Sequence, residues 1–315
     1  MPRAAKPIFQ AIQAAHHGVA AAVLERLFLT PARPTLPREE QAFLESGRHE
    51  RVDSPVGTLA TWVWGEGRTV LLVHGWGSRA SRYRTLVPAL VAAGLRAVAM
   101  ESPGHGISGG KRSSLPETAR AVRFMAGRER ERRGAWPWAV VGHSFGSAAS
   151  ILAQSDGVRF ERNVFLAPSV DFDNYMARVA SALGVKQTVA RRMIARIERR
   201  LGFSWDALRS TELVPWFSAP ALIFHDPADS EVPFQDAEGL AAAWPGAVLI
   251  STPGLGHRRL LHDPSVIERI VRFLETSSAA SGNALTSPAV PSVSIRVQPI
   301  THGWNRPVVL PQLYE

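Results

Sequence analysis

The stretch Trp138-Ala-Val-Val-Gly-His-Ser-Phe-Gly-Ser-Ala-Ala-Ser-Ile-Leu-Ala-Gln154 decides the fold of this chain. Its first four residues are apolar, which is typical of a short buried strand. The residues after Ser144 are small or apolar and predict a helix from about 145 to 154. Between the strand and the helix, Gly142-His-Ser-Phe-Gly146 fits the pattern G-x-S-x-G, in which a sharp turn exposes a serine hydroxyl in front of a helix N-terminus. The pattern predicts a nucleophile at Ser144.

The same pattern occurs a second time, so the context has to separate the two serines. Gly106-Ile-Ser-Gly-Gly110 also fits G-x-S-x-G, and such short patterns arise by chance. This second match has no strand before it and no helix after it, because it follows Pro103-Gly-His and precedes Lys111-Arg-Ser-Ser. We therefore interpret Ser108 as a loop residue and Ser144 as the candidate nucleophile.

Outward from this stretch, apolar runs alternate with segments of helical period. The strand-like runs lie at 58–64, 69–73, 95–100, 138–141, 163–167, 220–224 and 247–250. The helical segments lie at about 79–93, 116–132, 145–154, 234–243 and 264–275. Strands that alternate with helices favour parallel pairing with helical crossovers. We predict an α/β fold with a doubly wound, mostly parallel sheet.

Three parts of the chain fall outside this alternation. Residues 1–49 predict an amphipathic helix at 8–29, followed by a connector that three prolines keep extended. The gap at about 170–218 is too long for one crossover and contains helical periods, so we expect a helical lid inserted into a domain that spans 50–275. Residues 276–315 begin with Ser/Ala/Pro-rich linker composition and form a C-terminal tail.

A serine nucleophile needs a base, and the base needs an orienting acid. In this architecture the acid and then the base follow strands that come later in the chain than the serine. Asp229 follows the strand at 220–224, and His257 follows the strand at 247–250. We predict Asp229 as the acid and His257 as the base.

Other residues compete for both roles. The alternative acids are Asp226, Glu231, Asp171 and Asp173. The alternative base is His262, but Asp263 and Pro264 directly after it are typical of a helix start, which indicates a structural position.

When the serine attacks, negative charge develops on the carbonyl oxygen of the substrate, and two backbone N–H groups are needed to stabilise it. One is predicted at Phe145, directly after the serine. The other is expected in the loop His74-Gly-Trp-Gly-Ser78, where two glycines let the backbone approach a substrate closely. We assign it to Trp76, whose indole would also wall the pocket. His74 and His143 complete the predicted substrate-binding residues, although His143 also fits a packing role.

Composition limits the cofactors and partners. The chain has 36 Lys+Arg, 27 Asp+Glu, a net charge of +9 and no cysteine, which excludes a thiolate zinc site and a cysteine nucleophile. The basic runs are mixed with other residues and indicate solvated helix faces rather than a nucleic-acid surface. The sequence contains no uninterrupted apolar run of about 18 residues, so we predict no membrane-spanning helix. The polar residues after the first six argue against an export signal. We expect a cytoplasmic protein without metal or organic cofactor.

Together these motifs resemble the α/β-hydrolase family, in its esterase/lipase and serine-peptidase-like branch with a helical lid. The resemblance rests on His74–Gly77, Glu101–Ser108, Gly142–Gly146, Asp226–Pro233 and Gly256–His257. It implies a triad of Ser144, Asp229 and His257. Glu101 stands where related members often carry Asp, in a loop away from the triad.

The resemblance predicts a serine hydrolase, with carboxylic esters of small or medium apolar groups as substrates. A peptidase or amidase would use the same triad, and a relative that only binds ligands would share the fold. The arginines at 191, 192, 196, 199 and 200 leave a basic nucleic-acid or membrane-surface protein as the alternative from another class.

Overall fold

The computed structural model describes residues 5–275 and contains one eight-stranded sheet. Its strands are β1 (Arg48–Ser54), β2 (Gly57–Trp64), β3 (Arg68–Val73), β4 (Leu95–Met100), β5 (Ala139–His143), β6 (Arg162–Leu166), β7 (Ala221–His225) and β8 (Ala247–Ser251). The strand order across the sheet is β1-β2-β4-β3-β5-β6-β7-β8. β2 is antiparallel to its neighbours β1 and β4, and the strands from β4 to β8 run parallel. The predicted α/β fold with a mostly parallel sheet is confirmed.

Helices cover both faces of the sheet. Along β3, Val70 and Leu72 belong to the apolar cluster that contains α4 (Leu86–Ala92) and α12 (Pro264–Glu275). The alternate residues Leu71 and Val73 are equally buried and point to the other face, where α5 (Leu115–Arg133) and α6 (Phe145–Ser155) pack together. Burial on both faces explains why β3 and its neighbours are continuous apolar runs.

The charged edge strand β1 was not among the predicted runs. It reads Arg-His-Glu-Arg-Val-Asp-Ser and buries only Val52. Among the described strands it pairs with β2 alone. An edge strand needs few apolar residues, so its pattern is weak. The connector predicted after residue 29 also contains a short helix, α3 (Arg38–Glu45), which begins directly after Pro37.

The remaining helices of the sheet unit are short or lie between the last strands. They are α9 (Ser210–Leu213), α10 (Phe234–Ala243) and α11 (Gly256–Arg259), with 3₁₀ turns at Ala80–Tyr83 and Val214–Trp216. The 3₁₀ turn and α4 replace the single helix predicted at 79–93.

The contacts divide the described chain into two units. The sheet unit comprises residues 31–170 and 210–275. The second unit comprises residues 5–30 and 171–209 and contains α1 (Ala5–Ala15), α2 (His17–Phe28), α7 (Phe172–Leu183) and α8 (Gln187–Leu201), with a 3₁₀ turn at Trp205–Leu208. The helix predicted at 8–29 is thus two helices, which separate where the His16 side chain accepts a hydrogen bond from the Val19 N–H.

The second unit has its own apolar core. Its buried members are Phe9, Ala20, Ala21, Leu24, Leu29, Met176, Leu183, Val189, Met193, Ile194, Ile197 and Trp205. The buried carboxylate of Glu25 pairs with Arg196 and Arg200. The insertion therefore shares a core with the N-terminal helices, a connection that the sequence did not predict.

The role of the insertion as a lid and the domain boundaries at 49 and 276 stay predictions. The predicted tail at 276–315 lies outside the described residues. Between residues 5 and 275, none of the helices combines the length and the apolar character that crossing a bilayer requires.

Candidate active site

Ser144 occupies a strained turn between β5 and α6. Its backbone has φ +51° and ψ −122°, a region that non-glycine residues rarely adopt. The turn is held because the Ser144 N–H donates to the carbonyl oxygen of Leu166, at the end of β6. The side chain is partly exposed and stands at the N-terminus of α6, where the helix dipole favours negative charge.

Two glycines let other backbone segments approach this turn. A Cβ atom on Gly146 would lie 2.1 Å from the carbonyl oxygen of Val73 and 2.7 Å from that of His74. A Cβ atom on Gly75 would lie 3.1 Å from the Cβ of Ser144. The loop after β3 and the first turn of α6 are therefore in direct backbone contact.

Asp229 and His257 are hydrogen-bonded to each other. The His257 Nδ1 lies 2.8 Å from the Asp229 Oδ2, and the Asp229 side chain is fully buried while that of His257 is 7% exposed. The other carboxylate oxygen, Oδ1, accepts the backbone N–H groups of Glu231 at 2.7 Å and Val232 at 3.1 Å. These bonds fix the rotation of the carboxylate and aim Oδ2 at the imidazole.

The pKa of Asp229 is strongly lowered in spite of its burial. Desolvation alone would raise the pKa, but hydrogen bonds from His225, His257 and the Val232 backbone, together with electrostatic attraction by His257, outweigh it. The carboxylate is therefore anionic at neutral pH, as an orienting acid must be.

Two side chains hold the loop that carries His257. The buried Asp226 carboxylate accepts the Ala228 N–H with Oδ1 and the Gly256 N–H with Oδ2, so it links the loops after β7 and β8. His143 Nε2 lies 2.9 Å from the backbone carbonyl oxygen of His257, and the two rings are 4.8 Å apart. Because a carbonyl oxygen can only accept, His143 Nε2 carries the proton.

The hydrogen bonds found within residues 5–275 do not include one from the Ser144 hydroxyl to His257. The structure brings the predicted acid Asp229 and the predicted base His257 into contact and places Ser144 directly after His143, whose ring packs against that of His257. Apo sites commonly show long nucleophile–base contacts.

Two buried imidazoles shape the loop after β3. His74 Nε2 accepts the Ser102 N–H at 3.1 Å, and its Nδ1 donates to the Gly75 carbonyl oxygen at 2.8 Å. His105 Nε2 accepts the Gly77 N–H at 3.1 Å, and its Nδ1 donates to the Pro103 carbonyl oxygen. Both ring nitrogens of His74 are thus engaged with the protein, so its predicted contact with substrate stays a prediction.

Trp76 lies in the middle of this loop. Its ring makes edge contacts with Phe145 at 5.1 Å and with His105 at 5.2 Å between centroids. The next two N–H groups of the loop are already used, Gly77 by His105 and Ser78 by the Gly75 carbonyl oxygen. The backbone N–H of Trp76 has no hydrogen-bond partner within the described part of the chain.

Burial keeps three imidazoles of the site neutral. Desolvation lowers the pKa of His74 to about 3, with a further contribution from the neighbouring His105. It lowers the pKa of His143 to about 3 and that of His105 to about 4. Neutral rings can accept and donate at once, which is what the two backbone contacts of His74 and of His105 require.

The competing residues have other partners. The Ser108 hydroxyl donates to the Glu101 carbonyl oxygen at 2.7 Å and accepts the Ala60 N–H at 2.9 Å, which confirms it as a structural loop residue. His262 contacts Thr85 and Arg84. Glu231 pairs with Arg258.

The sequence reasoning missed His225, Asp226 as a link between loops, and His105. A histidine and an aspartate at the end of a strand, at 225–226, and the histidine of Gly104-His-Gly106 were visible signals, but their partners depend on how the loops close. Among the side chains that the structure describes, no three His, Asp or Glu residues are grouped so that they could hold a metal ion.

A comparison with protein families matches this fold and site. The family model described as serine aminopeptidase, S33, a hydrolase family, aligns with residues 66–255, more than half of the chain. The chain belongs to this family. The predicted resemblance to the α/β-hydrolases of the esterase/lipase and serine-peptidase-like branch is confirmed.

Two curated proteins are similar to shorter parts of this chain. The chain is similar to a serine hydrolase-like protein of Danio rerio, 37% identical over 102 residues, and to a monoacylglycerol lipase of Mycolicibacterium smegmatis, 38% identical over 80 residues. These alignments take in 30% and 24% of this chain. The chain spans only 30% and 29% of the length of these two relatives.

Solved structures share the fold over a longer range. An esterase of Pyrococcus furiosus superposes with a TM-score of 0.60 at 18% identity, covering 78% of this chain and 97% of the esterase. A monoacylglycerol lipase of Paleococcus ferrophilus superposes with a TM-score of 0.54 at 22% identity, covering 69% of this chain and 98% of the lipase.

The contact at Gly146 predicts opposite effects for two glycine-to-alanine substitutions in helices. Gly146→Ala should lower the free energy of unfolding by at least about 3 kcal/mol, because the new Cβ meets a backbone carbonyl oxygen that cannot move away. At Gly127 in α5, a new Cβ atom would meet no atom within 4 Å. Gly127→Ala should therefore raise the free energy of unfolding by about 0.5–1 kcal/mol. Urea unfolding of both variants checks this; a similar effect of the two would contradict the packing described.

The buried imidazoles predict a loss of stability in mild acid. The native pKa values of His74, His105 and His143 lie below 6.5, so the unfolded chain binds protons that the native protein does not. Stability is fully present above pH 6.5 and should fall below it by about 1.4 kcal/mol per pH unit for each such imidazole. Urea midpoints between pH 7 and pH 5 measure this. His105→Gln should flatten the slope and the exposed His49→Gln should not; equal slopes would refute the assignment.

Proposed function

We propose that this chain is a serine hydrolase that cleaves carboxylic esters through an acyl-enzyme on Ser144. The observation that carries the proposal is the hydrogen bond between the buried, anionic Asp229 and His257 Nδ1. It lies at the same edge of the sheet as the strained, partly exposed Ser144. Membership of a hydrolase family supports the same conclusion.

In the first half of the reaction, His257 Nε2 takes the proton of the Ser144 hydroxyl as the oxygen attacks the ester carbonyl. Asp229 keeps the Nδ1–H tautomer, which leaves Nε2 unprotonated and free to act as the base. This step requires a Ser144–His257 hydrogen bond, which forms when the serine side chain turns toward the imidazole.

The charge on the former carbonyl oxygen is stabilised by the backbone N–H groups of Phe145 and Trp76. Protonated His257 then gives its proton to the leaving alcohol, and the acyl group remains on Ser144. In the second half, His257 takes a proton from water as the water oxygen attacks the acyl carbonyl, and it then gives that proton to the Ser144 oxygen as the acid leaves. No cofactor takes part in these steps.

The substrate is a small-molecule ester with a small or medium apolar group. The aromatic faces of Trp76 and Phe145 form an apolar wall beside the serine. The sequence also predicts His74 and His143 as substrate-binding residues; both are buried, His74 in the loop that carries Trp76 and His143 directly before the proposed nucleophile. Esterases and monoacylglycerol lipases among the similar proteins support an ester over other acyl compounds.

The decisive variant is Ser144→Ala. It should lower kcat/KM for p-nitrophenyl acetate and butyrate by at least about 10⁴-fold, since the covalent step is lost, while the urea midpoint remains close to wild type. Initial rates at pH 8 measure the effect. Comparable activity in wild type and variant would overturn the assignment of the nucleophile.

Ser108→Ala is the matched control, because Ser108 is the serine of the other G-x-S-x-G sequence. A fluorophosphonate probe should label wild type and Ser108→Ala but not Ser144→Ala. Failure to label the wild type would favour a relative that binds ligands without catalysis.

A peptidase is the second candidate, which the description of the matching family as serine aminopeptidases favours. It would use the same residues and the same acyl-enzyme. The two are separated by kcat/KM on p-nitrophenyl butyrate and on alanine and proline p-nitroanilides. We expect the ester to be preferred by at least about tenfold; a preference for an anilide would establish the peptidase instead.

A further inference from the structure

We propose that His225 is a positioning residue that shares the Asp229 carboxylate with His257 and thereby sets how strongly His257 binds its proton. His225 is the last residue of β7. Its Nε2 lies 3.2 Å from Asp229 Oδ2, the same oxygen that contacts His257 Nδ1 at 2.8 Å. The inference rests on the proposed function, in which Asp229 and His257 are the acid and the base.

The contacts of His225 determine where its proton lies. Its Nε2 is also 3.2 Å from the backbone carbonyl oxygen of Val232. A carbonyl oxygen and an ionised carboxylate are both acceptors, so Nε2 carries a proton and shares it between them. The ring is fully buried, and its Nδ1 has no hydrogen-bond partner. The side chain therefore makes its polar contacts through one N–H only, and those contacts face Asp229 and its loop.

Asp229 consequently receives four N–H donors on two oxygens. Two backbone N–H groups bind Oδ1, and two imidazoles bind Oδ2. A donor that binds the charged form of a carboxylate makes it less basic. The N–H of His225 thus weakens the pull of Oδ2 on the proton of His257, and removal of that N–H should raise the pKa of His257.

The other charged and titratable groups around this pair come from three elements. His143 approaches His257 from the turn before α6, and Asp226 holds the Gly256 N–H from the end of β7. Glu231 and Arg258 form an ion pair at the surface beside Asp229 and His257. Each of these is unchanged in the variants below, so it does not enter the comparison between them.

Glutamine and methionine at position 225 form a matched pair. The glutamine Nε2 is separated from Cβ by as many bonds as the histidine Nε2, so His225→Gln keeps an N–H donor toward Asp229. His225→Met has nearly the same length and volume but no donor. The difference between the two variants therefore reports the hydrogen bond rather than the packing. Urea unfolding of both shows whether they are folded.

The first measurement is the pKa of His257 in the folded protein, from NMR of ¹⁵N-labelled histidine rings. The resonance is assigned by its loss in His257→Gln. We expect His225→Met to raise this pKa by about 0.5–1 unit relative to wild type and His225→Gln to stay within about 0.3 unit. The measurement needs no turnover.

The second measurement is the pH dependence of kcat/KM on p-nitrophenyl butyrate. Since His257 must be unprotonated to act as the base, its higher pKa should move the acid limb of the profile to higher pH in His225→Met. The plateau should fall by about tenfold, because the carboxylate loses a contact that fixes it. His225→Gln should restore both.

The outcomes separate this inference from the proposed function. Equal His257 pKa values in the glutamine and methionine variants would overturn the role of His225, whatever the activity. A wild type that neither hydrolyses esters nor reacts with the fluorophosphonate would overturn the proposed function, while the NMR comparison would still decide whether His225 tunes the imidazole.

Discussion

The contact between the first turn of α6 and the end of β3 determines the geometry of the candidate site. Because Gly146 has no side chain, α6 packs directly against the carbonyl oxygens of Val73 and His74. A Cβ atom at position 146 would clash with both oxygens. Gly146 lies two residues after the strained conformation at Ser144, through which the chain leaves β5. The contact sets the loop carrying Trp76 directly beside the proposed nucleophile. The serine and the proposed oxyanion N–H groups therefore hold their positions through backbone packing, which local side-chain motion does not disturb.

The proposed acid and base follow strands that lie farther along the sheet than the strand before Ser144. β6 separates β5 from β7, so the ends of β5 and β7 lie about 10 Å apart, and β8 is one strand farther. The loops after β7 and β8 start level with each other, since His225 pairs with Ser251. Asp226 then joins the two loops, and His143 binds the backbone of His257 from the serine side. Asp226 thus links the loop after β7 to the loop after β8, and His143 links the end of β5 to the residue His257.

The sequence predicted what depends on burial and chain order, and missed what depends on loop closure. The runs at 95–100 and 69–73 were recognisable because both faces of these strands are covered. The exposed edge strand Arg48–Ser54 has no such constraint. Ser144, Asp229 and His257 followed from their order after parallel strands, whose carboxyl ends meet at one edge. The contact between His225 and Asp229 could not follow in this way, because it depends on the turn that returns Val232 to the end of β7.

Histidine serves two different purposes in this site. A neutral imidazole has one donor and one acceptor, so it can join a backbone N–H to a carbonyl oxygen in a place that water does not enter. His74 and His105 do this in the loop that carries Trp76. His143 and His225 instead connect the neighbourhood of the base to the elbow and to the acid. All four of these rings are buried, and the side chain of His257 is 7% exposed. We assign the proposed proton transfer to His257 because Asp229 holds its Nδ1, and we assign the positioning of loops and backbone to the other four.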